Sequence, residues 1–155
     1  MNSRKPQNFF TFKLGILIGF TILLLDSNKV NAQCGMALRD VVLQEIQGAT
    51  YLKDFRVRLE EGNPKKPPRE EFAILLNKGS HYRFNIKADK DCKDQPVLKL
   101  YDFTHFYGSN YDPTDGSTYT YFEFTCTKTQ VYYLSISFVD AYAGCAAAIV
   151  SMVTK

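Results

Sequence analysis

Apolar and polar side chains alternate along most of this chain beyond residue 50. Phe55, Val57 and Leu59 alternate with Asp54, Arg56, Arg58 and Glu60, and Phe72, Ile74 and Leu76 with Ala73 and Leu75. The same pattern returns at Tyr82/Phe84/Ile86, Leu98/Leu100, Phe122/Phe124 and Tyr132/Leu134/Ile136/Phe138. A period of two sends successive side chains to opposite faces of a strand. Residues 145–153 are apolar almost throughout, as in a strand covered on both faces. Together these runs predict an all-β fold, an antiparallel β-sandwich or jelly roll of about seven to eight strands. Turn-forming residues at 77–80, 90–96, 127–129 and 139–144 separate the runs. Two longer loops are expected, a proline-stiffened one at 61–70 and one rich in Gly, Asn, Asp and aromatic residues at 102–117. Leu38, Val41, Val42 and Ile46 fit a short N-terminal helix, while Val41 and Leu43 equally fit a strand leading into Gly48.

The first residues follow a different plan. Arg4, Lys5 and Lys13 precede an apolar run over residues 14–25, and Val30-Asn31-Ala32 follows a short polar stretch. That order predicts a secretory signal peptide over residues 1–32, cleaved after Ala32, and one domain over 33–155. An uncleaved N-terminal anchor is the competing reading. The apolar run has about twelve residues, where a bilayer span needs about twenty, so no stable membrane span is expected once the leader is gone. The leader holds four of the nineteen basic residues and one of the sixteen acids, leaving fifteen of each in the rest. A balanced domain without one-sign runs gives no reason to expect nucleic acid as a partner.

All four cysteines, Cys34, Cys92, Cys126 and Cys145, lie beyond the leader. An even number in an exported chain reads as two disulfides. If strands alternate up and down, with residues 121–125 as the fifth, Cys92 and Cys126 arrive at one end and Cys145 starts at the other. A strand spans roughly 20 Å, against about 5–6 Å between bridged Cα atoms. The expected pairing is therefore Cys92–Cys126, with Cys34 tied to Cys145. The nearest two cysteines are nineteen residues apart, which does not suit a zinc site.

No nucleophile motif, zinc-protease motif or phosphate loop is present, so catalytic residues are not assigned and a non-enzyme is expected. His81 reads as a turn residue. No cofactor is expected, although carboxylates at Asp89, Asp91 and Asp94, and Asp112 and Asp115 with Asp102 and Asn110, are candidate Ca²⁺ ligands. The aromatic content of the second loop is more suggestive. Tyr101, His105, Phe106, Tyr107, Tyr111, Tyr119 and Tyr121 form the candidate ligand-binding set; Phe103 lies in the same aromatic loop, and Tyr133 faces the same way as Tyr119 and Tyr121. Tyrosine joins an apolar ring to a polar tip and suits a half-wet recognition surface, for sugar rings or for a protein.

Residues 78–84, 96–102, 121–126 and 131–136 present a turn into a strand, a strand ending in Tyr101-Asp102, and a Tyr132-Tyr133 strand near the end. In this succession the chain resembles the pre-peptidase C-terminal jelly-roll modules of secreted bacterial peptidases, with Thr129-Gln130 where those modules usually have glycine and with no attached peptidase expected. The resemblance implies a jelly roll. The exit Val30-Asn31-Ala32-Gln33 also resembles leaders of Bacteroidetes-type bacteria. The expectation is a secreted, periplasmic or cell-surface binding module for a carbohydrate or an envelope protein. The alternative is a structural component of a cell-envelope complex.

Overall fold

The computed structural model describes residues 35–154, so the expected leader lies outside the described residues. The chain divides into two units, Met1–Asn31 and Ala32–Lys155, and every described residue belongs to the second. A short helix, α1 (Met36–Leu43), precedes eight strands: β1 (Ala49–Leu59), β2 (Arg69–Leu76), β3 (His81–Ala88), β4 (Pro96–Tyr101), β5 (Phe106–Ser109), β6 (Tyr121–Thr125), β7 (Gln130–Phe138) and β8 (Gly144–Val153). They form two four-stranded sheets, ordered β1-β8-β3-β6 and β2-β7-β4-β5. Every pairing is antiparallel. This is the strand order of a jelly roll, in which sequential strands step between sheets.

The alternating residues fill the space between the sheets. Phe55, Val57, Tyr82, Phe84, Ala148 and Val150 of the first sheet meet Leu76, Leu98, Leu100, Tyr132, Leu134 and Ile136 of the second. Strand β8 is covered on both faces, as its apolar run implies. Ala146, Ala148 and Val150 point inward, while Ala147 and Ile149 point outward and are covered by Leu38, Val42 and Ile46. Those three lie four residues apart on one side of α1 and the turn after it, so the segment is helix as far as Leu43 and not a strand. The small Ala147 lets the helix sit close to the sheet.

At the upper end, Asp94 ties two loops together. Its buried carboxylate accepts from the backbone N–H groups of Gln95 at 2.7 Å, Asp140 at 2.9 Å and Tyr142 at 3.1 Å. Between the last two sits Ala141, buried with φ at 62°, a left-handed conformation that side chains disfavour. The Asp94 bonds on either side help to hold it there.

Strand β5 was expected as loop, and its presence corrects the cysteine pairing. It makes residues 121–125 the sixth strand, which reverses the direction of every later strand. Cys126 then follows a strand whose last residue pairs with His81, at the start of β3, whereas Cys92 follows the end of β3. A strand of that length separates them by about 25 Å, and both are free thiols. Cys145 instead lies at the Cys92 end, where its carbonyl accepts from the Asp89 N–H at 2.9 Å. Cys145 is disulfide-bonded. Cys34, the partner expected for it, lies outside the described residues.

Candidate functional site: the aromatic outer face of the second sheet

The outward residues of β4, β5 and β7 are the other half of the alternation that builds the core. On β4 these are Lys99, between the buried Leu98 and Leu100, and Tyr101, which follows Leu100. Tyr101 pairs with Phe106 on one side and with Tyr133 on the other. Between Leu100/Gly108 and Tyr101/Phe106 the β5 register takes an extra residue, Tyr107. This bulge turns Tyr107 inward while Phe106 faces out.

Above β5, the loop from 110 to 120 stands as a wall, anchored by one buried side chain. The Asn110 carboxamide oxygen accepts from the Leu98 N–H at 2.6 Å. Its amide nitrogen donates to the carbonyls of Pro96 at 2.9 Å and Tyr119 at 3.0 Å. The Tyr119 N–H returns a bond to the Asn110 carbonyl at 2.7 Å, and Tyr111 bridges to Thr118. The loop tip closes on Asp112, whose carbonyl accepts from Gly116 N–H, with Gly116 at φ +77°. Asp112 and Asp115 also accept from the Thr114 and Ser117 N–H groups, the Ser117 bond holding the Asp115 carboxyl below its ordinary range. Sheet face and wall form an open cavity of about 540 Å³ lined by Lys99, Phe106, Ser109, Tyr111, Asp112, Pro113 and Tyr119.

The structure groups some of the expected residues and disperses others. Phe106, Tyr111 and Tyr119 share the cavity, and Tyr101 adjoins Phe106 in the ladder. Tyr101 is half-buried. Burial, and then hydrogen bonding to Glu71, push its hydroxyl up to about 12. Tyr107 belongs to the core, its ring 5.2 Å from those of Phe124 and Tyr132. His105 lies at the lower end, largely exposed, with Nδ1 2.7 Å from the Thr104 hydroxyl. Tyr121 and Tyr133 do both point away from the core, but from different sheets, so they lie on opposite sides of the molecule. Tyr121 sits beneath the Arg83 guanidinium at 4.8 Å, on the outer face of the first sheet.

The candidate calcium ligands are dispersed too. Asp102 caps the lower turn, far from Asp112. Its carboxylate accepts from the Tyr107 hydroxyl at 2.6 Å, the Gln130 amide at 2.8 Å, and the Thr104 and His105 N–H groups at 2.7 and 2.8 Å. The Tyr107 bond first, and then those from Thr104 and His105, hold its carboxyl well below the usual carboxylate range. The same bond pushes the Tyr107 hydroxyl up. Asn110 is fully committed to backbone groups. Among the described residues no cluster of three His, Cys, Asp or Glu side chains has the proximity to hold a metal. Among them, too, no helix is long and apolar enough to cross a membrane.

Sequence reasoning passed over Lys99, Ser109 and Pro113 as site residues, and took Asp112 as a turn or calcium ligand. Lys99 was visible as the outward member between Leu98 and Leu100. The others depend on where β5 ends.

No family model and no curated protein matches the chain. Among solved structures, it is similar to PliG of Aeromonas hydrophila, a periplasmic lysozyme inhibitor of g-type lysozyme. The TM-score is 0.48 and the identity 10%, over 66% of this chain and 87% of that one.

Proposed function

We propose that this protein is a non-catalytic secreted or cell-surface module that binds carbohydrate through the outer face of its second sheet. The observation that carries the reading is the cavity wall. Phe106 is 64% and Tyr119 56% exposed, around a recess whose other lining residues are Tyr111 and Pro113 together with the polar Lys99, Ser109 and Asp112. Large rings left in water on a rigid sheet lose apolar stabilisation that burial would give, and a ligand that covers them recovers it. Flat rings beside a few fixed polar groups suit sugars, which present C–H faces and hydroxyl edges. A volume of this size is ordinary for a small-ligand site. The rings are also preorganised, because β5 and Asn110 set their positions before a ligand arrives.

A glycan array followed by calorimetry on the hits tests the proposal. Phe106→Ala, Tyr111→Ala and Tyr119→Ala should each weaken binding about tenfold, roughly 1.4 kcal/mol, with circular dichroism unchanged. Tyr121→Ala, on the other sheet, should leave binding as it is. Unaltered affinity in all three cavity variants would refute the assignment. The envelope-protein reading draws on Phe103, which is 89% exposed and held on the Asp102 turn. It predicts an envelope protein captured by the parent chain and lost with Phe103→Ala, and no glycan hits. A structural role in an envelope complex predicts concentration-dependent self-association instead.

A further inference from the structure

The outward-facing rings of this face, some exposed and some half-buried, form two stations. The first is the cavity of Phe106, Tyr111 and Tyr119. The second is built on Tyr133, whose ring stacks on Tyr101 at 5.9 Å and takes Phe103 edge-on at 5.2 Å. Strand register joins them. Tyr101 lies opposite both Phe106 and Tyr133, and Tyr133 lies opposite Ala73, so a row at right angles to the strands reads Phe106, Tyr101, Tyr133, Ala73. The small Ala73 leaves that row open at its β2 end. Two residues along β4 and on the same face, Lys99 lies opposite both Ser109 and Ser135, and Ser135 lies opposite Glu71. A row of hydrogen-bonding groups therefore runs beside the row of rings, across all four strands. Ser135, only 7% exposed, is its floor, and Glu71 is braced by Arg69 at 2.8 Å.

The dimensions decide what such a face can hold. Phe106 and Tyr133 are two strand spacings apart, about 10 Å, and the full row spans about 14 Å. One sugar ring covers one station and leaves the other bare. We infer that the ligand is a linear oligosaccharide or polysaccharide lying across the strands, its ring faces along the aromatic row and its hydroxyls along the polar row, with Tyr133 and Phe103 forming a second subsite. This rests on the carbohydrate reading above and adds to it the ligand's length and direction.

The test is affinity against chain length. The probes are two- to six-ring ladders of β-1,4-linked glucose, xylose and N-acetylglucosamine, titrated calorimetrically against the parent protein and Phe103→Ala/Tyr133→Ala. For a ladder that binds, parent affinity should rise at least tenfold between two and five rings. In the double variant that rise should disappear, with two-ring affinity kept within twofold. Should Tyr133→Ala disturb folding, Phe103→Ala alone, altering only a solvent-exposed ring, should still cut five-ring affinity at least threefold. Affinity that is independent of length, or that rises equally in the variants, overturns the second subsite and leaves the cavity reading standing. A parent protein that binds no ladder and no array glycan overturns both.

Discussion

Asn110 joins stability to the binding face through a single side chain, and its removal should be felt in both. The side chain is 1% exposed and makes three hydrogen bonds, one from the Leu98 N–H and two to carbonyls. Each is worth about 1 kcal/mol net, and the Leu98 N–H left buried without a partner costs a further ~1–2 kcal/mol. Asn110→Ala should therefore destabilise the protein by about 4 kcal/mol, with ~3 kcal/mol as the lower bound. With a urea slope near 1.5 kcal/mol per molar, the unfolding midpoint should fall by about 2–3 M. The chain has no tryptophan, so tyrosine fluorescence and far-ultraviolet circular dichroism are the probes. Asn110→Asp is the sharper variant. It keeps the acceptor for Leu98 but turns a carboxylate oxygen toward two carbonyl oxygens, and should be no more stable than the alanine form. A loss below that lower bound of ~3 kcal/mol for Asn110→Ala would refute the idea that this side chain anchors the loop. Where the variant stays folded, glycan affinity should drop as well, because Tyr119 loses its tether.

Three further outcomes follow from the same geometry. A Cβ at Gly144 would stand 2.5 Å from Cys92 Sγ and 2.8 Å from Phe138 Cζ; Gly144→Ala should cost about 1–3 kcal/mol in urea unfolding, and adding Cys92→Ala should recover only part of it, since the Phe138 clash remains. Alkylation followed by intact-mass measurement should label Cys92, which is partly exposed, in the native protein, and the buried Cys126 only after denaturation; a non-reduced peptide linking the two would contradict the strand order. The Asp102 carboxyl lies below its usual range in the folded protein, so its contribution to stability is fully present above the unfolded value near 3.9 and fades as pH falls through the lower folded value. The stability gap between parent and Asp102→Asn should thus be constant at neutral pH and narrow only in acid, and a gap that widens on acidification would count against the hydrogen-bond account.

The sandwich was legible because alternation is a direct image of a sheet with one dry face. Tyr82/Phe84/Ile86 and Tyr132/Leu134/Ile136 show it in full, and the near-continuous run in β8 announced the extra layer that α1 provides. Strand β5 was not legible. Phe106-Tyr107-Gly108-Ser109 is four residues long, carries a bulge that breaks the period, and is flanked by turn residues. Missing it inverted the later strands, and the Cys92–Cys126 pairing failed for that reason alone. The site was half legible: the aromatic residue types stood out, but their grouping needed the strand count. Tyr107 went inward because of the bulge, and Tyr121 went to the far side because β6 belongs to the other sheet. No local signal marks Asn110 as an anchor or Asp102 as a cap, since both act on groups brought near by the fold.

The position of β8 governs when the molecule can exist at all. It lies between β1 and β3, with Ala49 opposite Val153, so the first described strand waits for the last described one. Until β8 emerges, the first sheet is split down its middle, with β1 and the β3–β6 pair both showing unpaired edges. Such edges invite pairing with other chains, and closing so distant a contact is slow. A chain cut short before β8 should therefore be a sticky nascent fragment, and a cell that makes this protein has reason to keep it shielded until β8 arrives.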